Sequence, residues 1–430
     1  MKMYKIAVIG QGYVGLPLSL EFASHYPVFG YDINLQRVEQ LNDGVDVTLE
    51  ADLEKLHEGI NKYIESKGNI GYRATSNLND ISEANVYIVT VPTPIDKYNA
   101  PDLKPLISAS KMLGEIIKRQ DIIIYESTVF PGCTEDECVP ILEKFSGLKF
   151  NKDFFVGYSP ERINPGDKIN TLTSVKKVTS GSNDEIAEEI DNLYKKIIIA
   201  GTHKAPSIKV AEASKAIENA QRDVNISFVN ELALIFDRIG IDTHDVLEAA
   251  GTKYNFLKYK PGLVGGHCIS VDPYYLAHKA EQLGYHPDVI LSGRRVNDSI
   301  AKFVASKVVK LLIAKGGIVR DSNALILGIT FKENCPDVRN TKVVDIYNEL
   351  KDYGVNVDIY DPWANKDEVM HEYNIDILEK LIVDKKYDSI IIAVSHDKFL
   401  EIDLNSIKNE NAIVFDTKAC LDRNLVDARL

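Results

Sequence analysis

Short apolar runs alternating with helical patterns dominate the first half of the chain. Residues 4–9 (YKIAVI) form an unbroken apolar stretch of the kind buried in the middle of a parallel sheet. Gly10-Gln11-Gly12-Tyr13-Val14-Gly15 follows at once and opens a helical pattern to about Ser24; VFGYD (28–32) is then a second strand closing on Asp32. Further strands are predicted at ANVYIVTVPTP (84–94), whose end carries Thr93, and at DIIIYEST (121–128), ending at Ser127 and Thr128. Another is predicted at DFFVGYSPERINPGD (153–167), running into a polar turn with Glu161 and Arg162. Residues 41–80 read as charged and helical, and 176–200 as a strand, an acidic helix and a final β-rich run, KIIIA.

From about residue 206 the texture changes. Residues 208–240 contain no proline and no internal glycine before Gly240, which predicts one helix spanning roughly 50 Å. An apolar stripe of that length usually finds a partner, so a homodimer is the default expectation. Lys215, Asn219 and Arg222 stand at i, i+4 and i+7 and share one face. A capped helix at 240–255 leads through the FLKYKPG loop (256–262) into PGLVGGHCISVDPYYL (261–276), and a further helix is predicted at 292–314. Strands ending in polar or charged residues then return at 322–332, 355–362, 387–396 and 411–418. They outline a second open α/β domain with Phe331, Lys332 and Lys418 at strand ends, and with Arg339 after a Pro-Asp turn, placed to reach the other domain. The predicted boundaries are 1–205, 206–315 and 316–430.

Bulk composition narrows the function. At 430 residues, 45% hydrophobic and 26% charged, the chain has the make-up of an ordinary globular protein. A net charge of −13 argues against nucleic acid as the principal partner, and means that an anionic substrate needs local cations. No apolar run reaches the ~18 residues of a membrane span. Five scattered cysteines and no signal peptide suggest a reducing cytoplasm. Cys133 and Cys138 lack a second ligand pair at zinc-like spacing, so they read as packing residues and no metal is expected.

Two stretches carry chemistry. Strand, Gly-rich turn, helix, strand and acid together form the dinucleotide fingerprint. Gly10, Gly12 and Gly15 allow the tight turn and close pyrophosphate approach, and Asp32 accepts the ribose hydroxyls. A carboxylate there repels a 2′-phosphate and favours NAD over NADP, while Arg37 either offsets that repulsion or lies over the adenine. Thr93 and Thr128, at carboxyl ends of strands, fall near the nicotinamide half. Downstream, Gly265 and Gly266 precede Cys268, and Asp272 follows four residues later. A thiol at the end of such a turn is accessible, and a neighbouring cation raises its thiolate fraction.

With GQGYVG (10–15), VPTP (91–94), EST (126–128), SPERINPG (159–166), Lys215-x-x-x-Asn219, GGHCISVD (265–272) and FKENCPDVRNT (331–341), the chain resembles the UDP-glucose/GDP-mannose dehydrogenase family over essentially its whole length. SPER and GGHC resemble the branch that oxidises UDP-N-acetylhexosamines for capsule, O-antigen or Vi-type polysaccharides. The resemblance implies an α/β protein with two Rossmann-like domains joined by a long central helix in a helical dimerisation domain. It further implies a four-electron, NAD-dependent oxidation of C6 to a carboxylate, in which a cysteine captures the aldehyde as a thiohemiacetal and then carries a thioester.

By the same resemblance Cys268 is the nucleophile, Lys215 and Asn219 stabilise the oxyanion, and Asp272 serves the proton relay. Glu161 and Thr128 position the hydrolytic water. Tyr13, Val14, Asp32, Arg37, Thr93, Thr128 and Arg339 match NAD contacts. Arg162, Ile163, Lys215, Asn219, Arg222, Gly265, Phe331, Lys332 and Lys418 match nucleotide-sugar contacts, with Phe256, Leu257 and Lys258 as additions. Two departures stand out: Pro165 replaces the second glutamate of the UDP-glucose-type members, and Ser270 stands where many acetamido-sugar members have glycine. UDP-GlcNAc or UDP-GalNAc is the favoured substrate, with UDP-ManNAc or UDP-glucose as alternatives. The competing readings are a two-electron hydroxyacid dehydrogenase, which lacks an essential thiol, and a non-catalytic nucleotide-sugar sensor.

Overall fold

The computed structural model describes residues 4–48, 51–96, 98–163, 169–266, 269–382 and 384–430. In chain order the first elements are β1 (Ile6–Ile9), α1 (Gly15–Ala23), β2 (Pro27–Tyr31), α2 (Leu35–Asn42), α3 (Leu53–Glu65), β3 (Gly71–Thr75), α4 (Leu78–Ile81), β4 (Val86–Val89), α5 (Lys104–Gly114) and β5 (Ile122–Tyr125). After a π-helical turn (Thr134–Cys138) come α6 (Val139–Ser146), β6 (Phe155–Tyr158), β7 (Lys177–Gly181), α7 (Asp184–Tyr194) and β8 (Thr202–Lys204). These strands form one sheet in the order β3-β2-β1-β4-β5-β6-β7-β8. Every pairing is parallel except β6 with β7. β1, β4 and β5 are buried along their whole length, which is why their sequences read as unbroken apolar runs.

The order reverses between β1 and β4, so the loops at their carboxyl ends flank a topological switch point, the usual ligand crevice of such sheets. The chain then runs through α8 (Ile208–Ile239), α9 (Thr243–Ala250), α10 (Asp272–Gln282) and α11 (Asp288–Ala314). It closes with β9 (Asn323–Leu327), α12 (Val343–Asp352), β10 (Asn356–Tyr360), α13 (Lys366–Tyr373), β11 (Tyr387–Ile392), α14 (Leu404–Ile407), β12 (Lys408–Asp416) and β13 (Ala428–Arg429). A second, all-parallel sheet orders these strands β10-β9-β11-β12-β13. Two compact units result, one comprising the chain to Glu218 with Tyr274–Gly284, the other Asn219–Pro273 with Tyr285–Leu430. The chain is thus mixed α/β, with two parallel sheets and the long helix expected from 208–240, ended by Gly240 at φ +81°. No described helix is long and apolar enough to cross a membrane.

Five local expectations are corrected. Residues 41–80 are not all helical: GYRAT forms β3, because its buried positions complete the ladder beside β2. KIIIA is not a strand; Ile197 and Ile198 are buried in turns, and Thr202–Lys204 takes the ladder place next to β7. The first sheet-forming run after α11 stops at Leu327, where Gly328 turns the chain at φ +96°, so Phe331 and Lys332 belong to the following loop. Lys418 likewise lies two residues beyond the end of β12, and α11 begins at Asp288, ahead of the expected 292.

Candidate active site

In the first unit the Gly-rich turn is shaped by contacts that no side chain would fit. Gly10 has φ +96°, and a Cβ on Gly15 would fall 1.8 Å from the Gly10 carbonyl oxygen and 2.5 Å from Thr90 Oγ1. Gly12 is different: a Cβ there would meet no protein atom within 4 Å, so its missing side chain leaves the crevice open. Val14 caps α1 without a side-chain hydrogen bond, and no acid occupies the first turn. The α1 amides therefore face outward as an anion site. Gln11, wholly buried, ties the turn from beneath through Tyr72 (2.9 Å) and the Val8 carbonyl (3.0 Å).

Asp32 follows β2, accepting the Gln11 N–H at 2.8 Å and the Asn34 N–H at 2.9 Å. It borders a cavity of about 420 Å³ with Gln11, Gly12, Asn34, Arg37 and Val47. Arg37 is 7% exposed; its Nε donates to the Gln11 carbonyl (2.9 Å) and its guanidinium pairs with Asp46 at 2.8 Å. Burial alone would raise the Asp46 carboxyl, but the Ala51 amide, the Thr48 hydroxyl and Arg37 outweigh it and hold it below the ordinary range. An arginine already neutralised in this way is poorly placed to receive a 2′-phosphate, which leaves the repulsion of Asp32 unopposed. These residues fit NAD. Replacing Gly15 with alanine is expected to weaken NAD+ binding at least ~10-fold, since relieving the overlap must displace the turn. Titration calorimetry giving an unchanged Kd would contradict this.

Thr93 and Thr128 are both half-buried, on loops held together by Ser127 donating to the Val91 carbonyl (2.6 Å). The segment after Thr128 is also anchored: Glu212 of α8, fully buried, accepts the N–H groups of Gly132 (2.5 Å) and Thr134 (2.9 Å). Burial pushes the Glu212 carboxyl up to about 7 despite these donors. Lys215, 7% exposed, lies one turn further along α8. Beyond β6, Glu161 accepts the N–H groups of Arg162 (2.6 Å) and Ile163 (2.8 Å) on Oε1, and Lys177 at 3.0 Å on Oε2. Arg162 reaches the Lys176 carbonyl (2.8 Å) and Glu218 (2.8 Å), while Ile163 packs on the core of the unit. Cys133 and Cys138 are buried free thiols, as their reading as packing residues expected.

In the second unit Asn219 and Asp272 are both buried, and the Asn219 amide donates to the Asp272 carboxylate. The glycine loop ahead of Asp272 is fastened at several points. Asn230 donates to the Gly262 carbonyl (3.1 Å) and accepts its N–H (2.8 Å). Asn230 in turn meets Asn297 (2.7 Å), which donates to Asp223, itself paired with Arg294 at 2.6 Å. The Gly266 N–H donates to the Asn340 carbonyl, and a Cβ on Gly265 would lie 2.5 Å from that oxygen. Gly266, at φ +87°, backs onto the Phe331 ring, and Gly262 lies beside Lys418 Nζ. Lys332 Nζ stands 5.5 Å from the Phe331 centroid.

The loop holding Phe331 and Lys332 is itself pinned by His396, wholly buried, whose Nδ1 accepts the Asn334 N–H (2.9 Å). Nε2 of the same ring faces Asp361 (3.1 Å) and Thr330 (3.0 Å). Arg339, expected to reach the other domain, pairs with Asp337 through Nε (2.9 Å) and Nη2 (2.8 Å). Phe256, Leu257 and Lys258 form a largely exposed loop after α9, and Arg222 is half-buried on α8. Tyr13 is half-buried in the Gly-rich turn. Cys268, with Pro165, lies outside the described residues.

Sequence reading missed Lys177, Glu126, Glu212, Asn230 and His396. Glu126, Lys177 and His396 stand at or just past strand ends, and Glu212 and Asn230 lie among the other polar residues of α8, so no local pattern marks them.

A crevice with the dinucleotide fingerprint and a second parallel-sheet unit with lysines around a glycine loop define an NAD-dependent dehydrogenase of nucleotide sugars. Family models agree: the NAD binding domain of the UDP-glucose/GDP-mannose dehydrogenase family matches residues 4–198, its central domain 209–299 and its UDP binding domain 325–423. The chain belongs to the UDP-glucose/GDP-mannose dehydrogenase family. It is 54% identical to UDP-N-acetyl-D-glucosamine 6-dehydrogenase of Pseudomonas aeruginosa, covering 100% of both chains. It is 53% identical to the enzyme of the same name in Salmonella typhi, over 99% of this chain and 98% of that one. Among solved structures, UDP-D-ManNAc dehydrogenase of Pyrococcus horikoshii superposes with a TM-score of 0.87 at 28% identity, covering 99% and 98% of the two chains.

Proposed function

We propose that this protein oxidises the C6 alcohol of UDP-N-acetylglucosamine to the carboxylate, reducing two NAD+ for each sugar, in the cytoplasm and as a homodimer or higher assembly. The product would serve surface polysaccharide synthesis. One observation carries the choice of sugar. Two relatives at 53–54% identity bear the glucosamine name, whereas mannosamine dehydrogenases stand at 31–34%. The exposed apolar residues Ile217, Phe228, Ile235 and Ile239 of α8 support self-association.

NAD+ held by the Gly-rich turn and Asp32, when bound, supplies the acceptor for both hydrides leaving C6. The rest falls to the protein. Cys268 adds its sulfur to the aldehyde carbon, and the new C–S bond holds the intermediate as a thiohemiacetal. Lys215, with Asn219 beside it, stabilises negative charge on the C6 oxygen, and Asn219 is itself oriented by the buried Asp272. Once the thiohemiacetal reaches the thioester level, a water directed by Glu161 and Thr128 attacks the carbonyl. The C–S bond breaks, the thiolate leaves, and the water proton passes to the relay that includes Asp272. Lys332 and Lys418 supply the cations that the diphosphate requires against the net charge of −13.

The test is a panel of UDP-GlcNAc, UDP-GalNAc, UDP-ManNAc and UDP-glucose, read as NADH released at limiting sugar. UDP-GlcNAc should give the highest kcat/KM and two NADH per sugar. One NADH per sugar would favour the two-electron alternative, and preference for another epimer would overturn the substrate.

A further inference from the structure

Glu161 sits at one end of a buried chain of charges that the proposed reaction does not by itself explain. Lys177, at the start of β7, is 2% exposed and bridges two carboxylates, Glu126 at 2.7 Å and Glu161 at 3.0 Å. Glu126, just past β5 and 2% exposed, also accepts the hydroxyl of Tyr194 from α7. Among the described residues, Arg162 also stands by Glu161, and it is turned onto Glu218 of α8 and the Lys176 carbonyl. The groups facing Glu161 among the described residues are thus Lys177, Glu126, Arg162 and Tyr194, with Glu218 behind Arg162.

Burying an ammonium between two carboxylates is costly unless every group is hydrogen-bonded, and truncating one member leaves an uncompensated buried charge. That the fold places these charges beside Glu161 calls for a reason. A carboxylate has about four acceptor positions. Glu161 uses two on Oε1 for the Arg162 and Ile163 amides and one on Oε2 for Lys177. Among the described residues no donor takes the remaining lone pair of Oε2, whose direction these bonds fix. Burial alone would raise the Glu161 carboxyl, but Lys177 and then the two amides outweigh it and keep it below the ordinary range. For Glu126 the balance is opposite: burial, helped by the neighbouring Glu161, leaves it above the ordinary range although Lys177 and Tyr194 oppose.

We propose that Lys177 is a positioning residue that fixes the orientation and the negative charge of Glu161, with Glu126 and Tyr194 anchoring Lys177 from the other side. Glu161 then offers one acceptor to a water and orients it. A carboxylate so stabilised is a weak base, so it leaves the water proton to another group. This rests on the reading that Glu161 serves thioester hydrolysis, and the test separates the two.

The experiment follows the pH titration of the Glu161 carboxyl in the full chain with NAD+ bound, by 13C NMR with the Glu161→Gln spectrum subtracted. Lys177→Gln removes the cation and is expected to raise the Glu161 midpoint by about one pH unit or more. Glu126→Gln keeps the volume but leaves Lys177 a single charged partner, and is expected to lower the midpoint. Opposite displacements in the two variants show that both charges act on the Glu161 carboxyl, and slower thioester hydrolysis in Lys177→Gln shows that this serves the reaction. If Lys177→Gln fails to fold, Lys177→Arg decides: it keeps the cation and is expected to hold the midpoint below the ordinary carboxylate range, and a midpoint inside that range overturns the clamp. A midpoint that stays put, or that moves the same way in both, overturns the clamp. If the midpoint moves as expected while the acid limb of thioester hydrolysis stays fixed, the clamp stands and Glu161 leaves the hydrolytic step.

Discussion

Replacing Cys268 with alanine is expected to reduce carboxylate formation by at least ~10³-fold, about 4 kcal/mol on the barrier, while NAD+ and UDP-sugar still bind. Without the sulfur, the aldehyde has no covalent anchor, and the second hydride must leave from a species the protein does not hold in place. The described chain ahead of Cys268 is closely held. Side chains at Gly265 and Gly266 would collide with Asn340 and Phe331, and the loop root is tied to Asn230 through both backbone groups of Gly262. Product analysis by anion-exchange chromatography checks the prediction. Carboxylate formed at near the parent rate would refute the nucleophile.

Lys215→Ala is expected to slow single-turnover NADH formation by ~10²-fold or more, close to the loss of one oxyanion partner and worth about 2.7 kcal/mol or above. The residue is 7% exposed on a 32-residue helix. In the proposed mechanism an ammonium fixed there meets the C6 oxygen without reorganising at the moment of reaction. Both hydride transfers should slow, because charge sits on that oxygen in the alkoxide and again in the thiohemiacetal. Stopped-flow absorbance separates the two steps. A variant with the parent's rates would remove Lys215 from the chemistry.

Much of this arrangement was legible in the sequence where local pattern and chemistry coincide. The strand–GQGYVG–helix–strand–Asp32 run needs only neighbouring residues to be recognised, and α8 announces itself by length without proline or glycine. Spacing and resemblance singled out Lys215, Asn219 and Asp272, and of these the structure joins Asn219 to Asp272. What was not legible depends on distant segments meeting. GYRAT is a strand only because β2 offers it a ladder, and KIIIA fails to be one because β8 takes the edge. Lys177 looks like an ordinary surface lysine next to Lys176 until Glu126, Glu161 and Tyr194 close around it. Arg37 kept two readings open in the sequence, and in the fold its guanidinium is paired with Asp46. Burial of a charge is a property of the fold, so charge–charge partners far apart in sequence escape any periodicity.

Acid-quenched enzyme, taken during steady-state turnover with UDP-GlcNAc and NAD+, provides the most direct measurement. Peptide mass spectrometry is expected to find the peptide containing Cys268 heavier by the sugar-nucleotide acyl group, and to find more of it when Glu161 is glutamine. Cys268 recovered entirely unmodified in both proteins, while two NADH are still released per sugar, would contradict the covalent route.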